Sequence, residues 1–188
     1  MKPVQKSRRS LLSLAAGISL ALCFSAHAES TAPSALSMKR LTPDIAVSGQ
    51  ISQESLAQLK ARGFATVIDL RPDGEASGQP ASSDMASAAR ANNLQFYYVP
   101  VPPSGIPEQA VKQLADALKD APKPVLMYCR SGSRAARTWS LAEASRPDGM
   151  EADAIKAAVR EAGQSAEDLN PSIMQRITQR KAASAQKP

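Results

Sequence analysis

Histidine occurs once in the 188 residues, as His27, and cysteine twice, as Cys23 and Cys129. Aromatic residues make up only 4% of the chain. The opening MKPVQKSRRSLLSLAAGISLALCFSAHAES combines a basic start, an apolar run over Leu11 to Phe24 and a small-residue Ala26-His27-Ala28 site. That pattern is a secretory signal peptide, residues 1–28, with cleavage expected after Ala28. Cleavage removes His27 and Cys23, so a single thiol remains and no histidine. A structural zinc site needs several Cys or His ligands, which excludes one here. A Cys-His dyad would lack its base, and an intramolecular disulfide would lack its second sulfur. The chemistry left to this chain calls for no metal and no cofactor.

Long apolar runs are also missing after residue 28. The first run is too short to span a bilayer and no second follows, so no stable membrane anchor is expected. Ser7-Arg8-Arg9-Ser10-Leu11-Leu12 resembles a twin-arginine export motif, and plain charge at the start of a signal peptide explains the same arginines equally well. Either route places the protein in the periplasm or outside the cell. Loss of Lys2, Lys6, Arg8 and Arg9 takes the 23 basic residues to 19 against 17 acidic, a net charge of +2. No basic run with interleaved aromatics is present, which argues against nucleic acid as a partner.

The 160 residues that remain suit one compact domain. Residues 29–38 are small, polar and proline-interrupted and read as a linker. Apolar runs then alternate with amphipathic stretches. Strands are expected over Ile45 to Ser48, Ala65 to Leu70, Leu94 to Val99 and Val125 to Tyr128. Helices are expected over Ser52 to Arg62, Ser83 to Ala91, Pro107 to Lys119 and Arg134 to Ala144. Short strand-helix alternation implies an α/β fold with a mostly parallel, doubly wound sheet. Two further helices, Glu151 to Ala162 and Ala166 to Arg180, are expected to pack behind it. That makes residues 39–180 the domain and 181–188 a flexible tail.

Ligands of such sheets lie at the carboxyl ends of the strands, and Cys129 follows one directly. The stretch Val125 to Arg137, VLMYCRSGSRAAR, puts the thiol between a buried strand and a helix start. Unpaired amides of the first helical turn and the positive end of the helix dipole favour thiolate over thiol. Arg130 and Arg134 add cationic charge, and an accessible nucleophile is expected. Gly132 permits a turn with positive φ in which the amides of Arg130, Ser131, Gly132 and Ser133 converge as an anion nest. Arg134 can offer an oxyanion a planar fork of donors. The opposing expectation is a small buried hydrophobe, the commoner fate of isolated cysteines. Arg137 reads as a surface charge, and Tyr128 and Trp139 as core.

Two separated stretches carry a family resemblance: LTPDIAVSGQISQESLAQLKARGFATVIDLRPDGEASGQP at 41–80 and YCRSGSRAARTWSLAEA at 128–144. Together they resemble the phosphatase-like domain of beta-lactamase-hydrolase-like proteins, over about Met38 to Arg146. The resemblance implies a fold like that of dual-specificity and tyrosine phosphatases. It implies Cys129 as nucleophile, Arg134 as the grip on phosphate, and the loop amides as its cradle. The substrate would then be a small anionic or phosphorylated molecule.

Four positions depart from the wider phosphatase pattern. Arg134 follows Cys129 by five positions where typical loops have six; Tyr128 replaces the usual histidine; Ala135 replaces a hydroxyl. The loop Pro100 to Gly105 has no aspartate to act as general acid. Asp73 and Glu75, after an expected strand, are the candidate acids, although a proline-initiated turn with solvated charges explains them too. The hexad Cys-Arg-Ser-Gly-Ser-Arg also resembles the active loop of single-domain rhodaneses, which implies sulfur transfer through a cysteine persulfide. A non-catalytic oxyanion-binding module is the third alternative.

Overall fold

A computed structural model describes residues 36–186. The expected signal peptide and its expected cleavage site lie outside the described residues. A five-stranded sheet forms the centre, in the order β1-β2-β5-β3-β4. Its strands are β1 (Met38–Thr42), β2 (Ile45–Ser48), β3 (Thr66–Asp69), β4 (Gln95–Tyr98) and β5 (Val125–Tyr128). Only β1 runs antiparallel to its neighbour; β2, β5, β3 and β4 are mutually parallel. The expected α/β architecture is therefore present, with one strand that the sequence patterning did not reveal.

Each residue of β2, β3 and β5 is buried. Helices cover both faces of these strands, as their largely apolar or β-branched composition requires, with Ser48 closing β2 and Asp69 closing β3. On one face α1 (Glu54–Ala61) brings Leu56 and Leu59, and α2 (Ser82–Ala91) brings Met85 and Ala89. The other face carries α3 (Glu108–Asp120), α4 (Ser133–Ser145), α5 (Ala152–Glu161) and α6 (Asn170–Ala185). Trp139 and Tyr128 are fully buried core residues.

Strand β1 reads MKRLT, with Lys39 and Arg40 exposed. Charges on an edge strand discourage pairing with other chains, and they also hide the strand from a hydrophobic pattern. Pro43-Asp44, between the paired residues Thr42 and Ile45, turns β1 into β2. Helix α6 starts at Asn170 with Pro171 in its first turn, the position where a missing N–H costs nothing. The segment expected as a tail from Lys181 is helical as far as Ala185, since Ala182, Ala183 and Ala185 are strong helix formers. Arg180, only 7% exposed, reaches from α6 to the carbonyls of Glu143, Ala144 and Met150. It thereby satisfies the open C-terminal end of α4.

Parallel strands end on one side, so the segments after β2, β3, β4 and β5 meet at a single edge. That edge holds the Cys129 loop.

Candidate active site

Strand β5 passes directly into Cys129, and α4 begins four residues later. Gly132 caps the helix with φ 91°. A Cβ there would lie 3.3 Å from the Ser48 carbonyl oxygen, so both conformation and space call for glycine. The turn aims the Gly132 N–H at Cys129 Sγ, 3.2 Å away. Gln50 N–H donates to the Arg130 carbonyl at 3.3 Å and pins the loop to the end of β2.

The expected accessible thiol is not what the structure contains. Cys129 is 0% exposed and belongs to the apolar cluster with Met127, Ala135 and Trp139. The physical reason is the turn itself, which folds the 130–132 backbone over the sulfur. Arg130 and Ser131 are exposed, whereas Ser133 and Arg134 are half-buried.

Arg134, in the first turn of α4, spends its fork on protein atoms. Nη1 donates to the Val101 carbonyl at 2.6 Å, and Nη2 donates to Glu75 Oε1 at 2.9 Å. Glu75 Oε2 lies 2.7 Å from Nη1, off the donor direction, so this second contact is mainly one of charge. Arg71 shares the same carboxylate oxygen: Nε donates to Oε1 at 3.0 Å, while Nη1 donates to Gln50 Oε1 at 2.9 Å. The hydrogen bond from Arg134 holds the Glu75 carboxyl below the usual carboxylate range, with help from Arg71 and against the effect of burial. A carboxylate held ionised in this way does not supply a proton at neutral pH. Glu75 is thus brought to the site, but not as the free acid that was expected.

Asp73 is placed differently. Its Oδ1 accepts the Ser82 N–H at 2.7 Å and its Oδ2 the Ser82 hydroxyl at 2.6 Å. It therefore satisfies the first N–H of α2 from outside the helix, a role that neither the catalytic expectation nor a turn with solvated charges includes.

The family profile for "Beta-lactamase hydrolase-like protein, phosphatase-like domain" matches residues 37–146. The chain belongs to this family. Beta-lactamase hydrolase-like proteins of Agrobacterium fabrum and Xylella fastidiosa are 32% and 34% identical to it over 105 and 99 residues. Those segments are 56% and 53% of this chain but 24% and 23% of the relatives, so the similarity spans about a quarter of their length. Among solved structures, a Neisseria meningitidis protein described as a phosphatase candidate is 26% identical, with a TM-score of 0.63, covering 73% of this chain and 96% of that one. Pseudomonas aeruginosa TpbA, solved with phosphotyrosine, is similar in fold: TM-score 0.54, 17% identity, 81% and 92% coverage. The fold is that of the tyrosine-phosphatase-like phosphatases.

For this member of the family, three features of the edge escaped the sequence reading. Gln50 and the Val101 carbonyl hold the two arginines, and only the folded loops bring them there. Asp69 ends β3 opposite Tyr128 in register and is 1% exposed. Its Oδ1 accepts the Arg71 N–H at 2.8 Å, and burial pushes its carboxyl up from 3.8 to about 6. The signal was present as a carboxylate closing the β-branched run Thr66-Val67-Ile68. Burial, and then the Asp69 charge, also raise the Tyr128 hydroxyl.

A groove of about 470 Å³ opens beside Arg134, between the Pro102 to Ile106 loop, Leu141 of α4, and Leu169 and Arg176 near the C-terminus. Its last wall lies beyond the 37–146 segment shared with the family.

Proposed function

We propose that the chain is an exported, cysteine-dependent phosphatase-like hydrolase acting on a small oxyanion ester. Support comes first from one observation: the Gly132 amide meets the Cys129 sulfur at 3.2 Å, at the junction of β5 and α4, with Arg134 in the first helical turn. Amide and helix N-terminus favour a thiolate. The thiolate attacks the central atom, the ester oxygen leaves, and water then releases the oxyanion from sulfur. The amides of Arg130 to Ser133 and the Arg134 fork hold the charged oxygens through both steps. The groove beside Arg134 is the place for the leaving group.

Sulfur transfer remains a second reading because neither candidate acid is free. Asp73 is bound to Ser82 at the start of α2 and Glu75 is ion-paired. Attack of the thiolate on thiosulfate expels sulfite and needs no proton donor. Cyanide would then take the outer sulfur as thiocyanate and restore the thiolate.

Assays on an aryl phosphate and on thiosulfate with cyanide, with Cys129→Ser as control, separate the readings. Hydrolysis that vanishes in Cys129→Ser is the expected result. Thiosulfate turnover with a persulfide on Cys129, and no phosphate release, overturns it in favour of the second reading. Phosphate binding without either turnover leaves an oxyanion-binding module.

A further inference from the structure

We propose that Arg137 and Arg176 form a second anion subsite in the groove beside Arg134, so that the preferred substrate is an ester whose leaving group carries an acidic group of its own. The inference rests on the reading that Cys129 and Arg134 take the first oxyanion.

The groove, about 470 Å³, is of the size that holds a small organic molecule and not one oxyanion alone. Two helices supply matching walls. Arg134, Arg137 and Leu141 follow one another along α4 at spacings of three and four, and Leu169, Ser172 and Arg176 do the same at the start of α6. Such spacing keeps side chains on one helix face. Three arginines therefore line the groove, and none of its lining residues is acidic. Arg137 was expected as a surface charge, yet its side chain is only 25% exposed, and that of Arg176 18%.

The three guanidinium groups are tied in the same way, through their Nη atoms. Arg134 is held by the Val101 carbonyl and Glu75, Arg137 by both oxygens of Asp168 at 2.6 and 2.7 Å, and Arg176 by both oxygens of Glu108. In each, Nε and one Nη2 hydrogen have no partner among the described residues. That side edge is a second planar fork, ready for two oxygens of a carboxylate or phosphate. Asp168 and Glu108 are 65% and 73% exposed and do not line the groove, so they orient the arginines without filling the space beside them. Leu141 and Leu169 give the groove an apolar surface for the part of the substrate that links its two charges. Leu169, Ser172 and Arg176 lie beyond the family-matched residues 37–146. The selectivity thus comes from the C-terminal helices and not from the shared segment alone.

Alkyl-linked bisphosphonates are suitable probes because their C–P bonds are not hydrolysed. Titration calorimetry compares each, over a series of chain lengths, with the alkylphosphonate of the same length. At one length or more the bisphosphonate should bind at least tenfold more tightly. Arg137→Gln and Arg176→Gln should each cut that preference at least fivefold. Glu108→Gln breaks the same ion pair between α3 and α6 but keeps the Arg176 guanidinium, so the preference should persist; a purely structural role for Arg176 forecasts equal losses in the two variants. The proposal is overturned by no preference at any length, by a preference that survives both arginine variants, or by its loss in Glu108→Gln. The alkylphosphonate reports on the Arg134 site by itself. If it does not bind, the underlying reading fails and takes this proposal with it; if it binds and the bisphosphonate gains nothing, only the second subsite fails.

Discussion

The N–H of Gly132 points at the sulfur of Cys129 across 3.2 Å, and it does so from a left-handed backbone, φ 91°, pressed against the Ser48 carbonyl. Gly63 has a similar φ of 83°, but open space where a Cβ would go. A residue with a side chain in this conformation costs about 1–2 kcal/mol. Gly63→Ala should lose only that, whereas Gly132→Ala should lose more, because Ser48 must also move. Urea unfolding of the two variants checks this, and equal losses would mean the Ser48 contact is slack.

Arg134→Lys keeps the charge but loses the planar fork. Phosphate affinity should fall at least tenfold, about 1.4 kcal/mol. Titration calorimetry measures it; an unchanged affinity would put the anion elsewhere on the molecule.

Asp69 should leave a mark on the pH dependence of stability. Burial raises its carboxyl from 3.8 to about 6, so between about pH 4 and 6 the folded state keeps a proton that the unfolded chain has released. Stability contributed by this group is present at the acid end and is lost as pH rises through that window. The full loss is on the order of 3 kcal/mol. Asp69→Asn retains an oxygen for the Arg71 N–H and cannot ionise, so relative to wild type it should gain stability from pH 4 to 6. Parallel denaturation curves at both pH values would show that Asp69 does not titrate there.

Arg180→Met should preserve the apolar stem of the side chain while stranding the carbonyls of Glu143, Ala144 and Met150. An unsatisfied buried acceptor costs roughly 1–3 kcal/mol. The denaturation midpoint should fall clearly below that of an exposed control such as Lys112→Met, whose partner Asp116 is also exposed.

Strands β2, β3 and β5 were legible in the sequence because burial on both faces leaves short apolar runs that nothing else resembles. Strand β1 was not, since Lys39 and Arg40 face solvent and only pairing with β2 makes MKRLT a strand. The Cys129 loop was legible as a junction, because Gly132 and the following helix are local features. Burial of its thiol was not, because it depends on how the turn folds back over the sulfur. Glu75 and Arg134 stand 59 positions apart; no periodicity links them, and their pairing exists only because parallel strands bring the loops after β3 and β5 to one edge. Asp73 is tied to Ser82 at the start of α2, a contact nine residues away that spacing does not encode.

Helix α4 carries the Cys129 loop at its N-terminus, has nine of its 13 residues buried, and is closed at the other end by Arg180. A helix so enclosed does not fray by itself; its amides exchange with solvent only when the whole domain opens. The proposed oxyanion cradle and the core then share one melting transition. Heat or urea should abolish anion binding in step with the loss of tertiary structure, with no intermediate that is folded but blind to oxyanions.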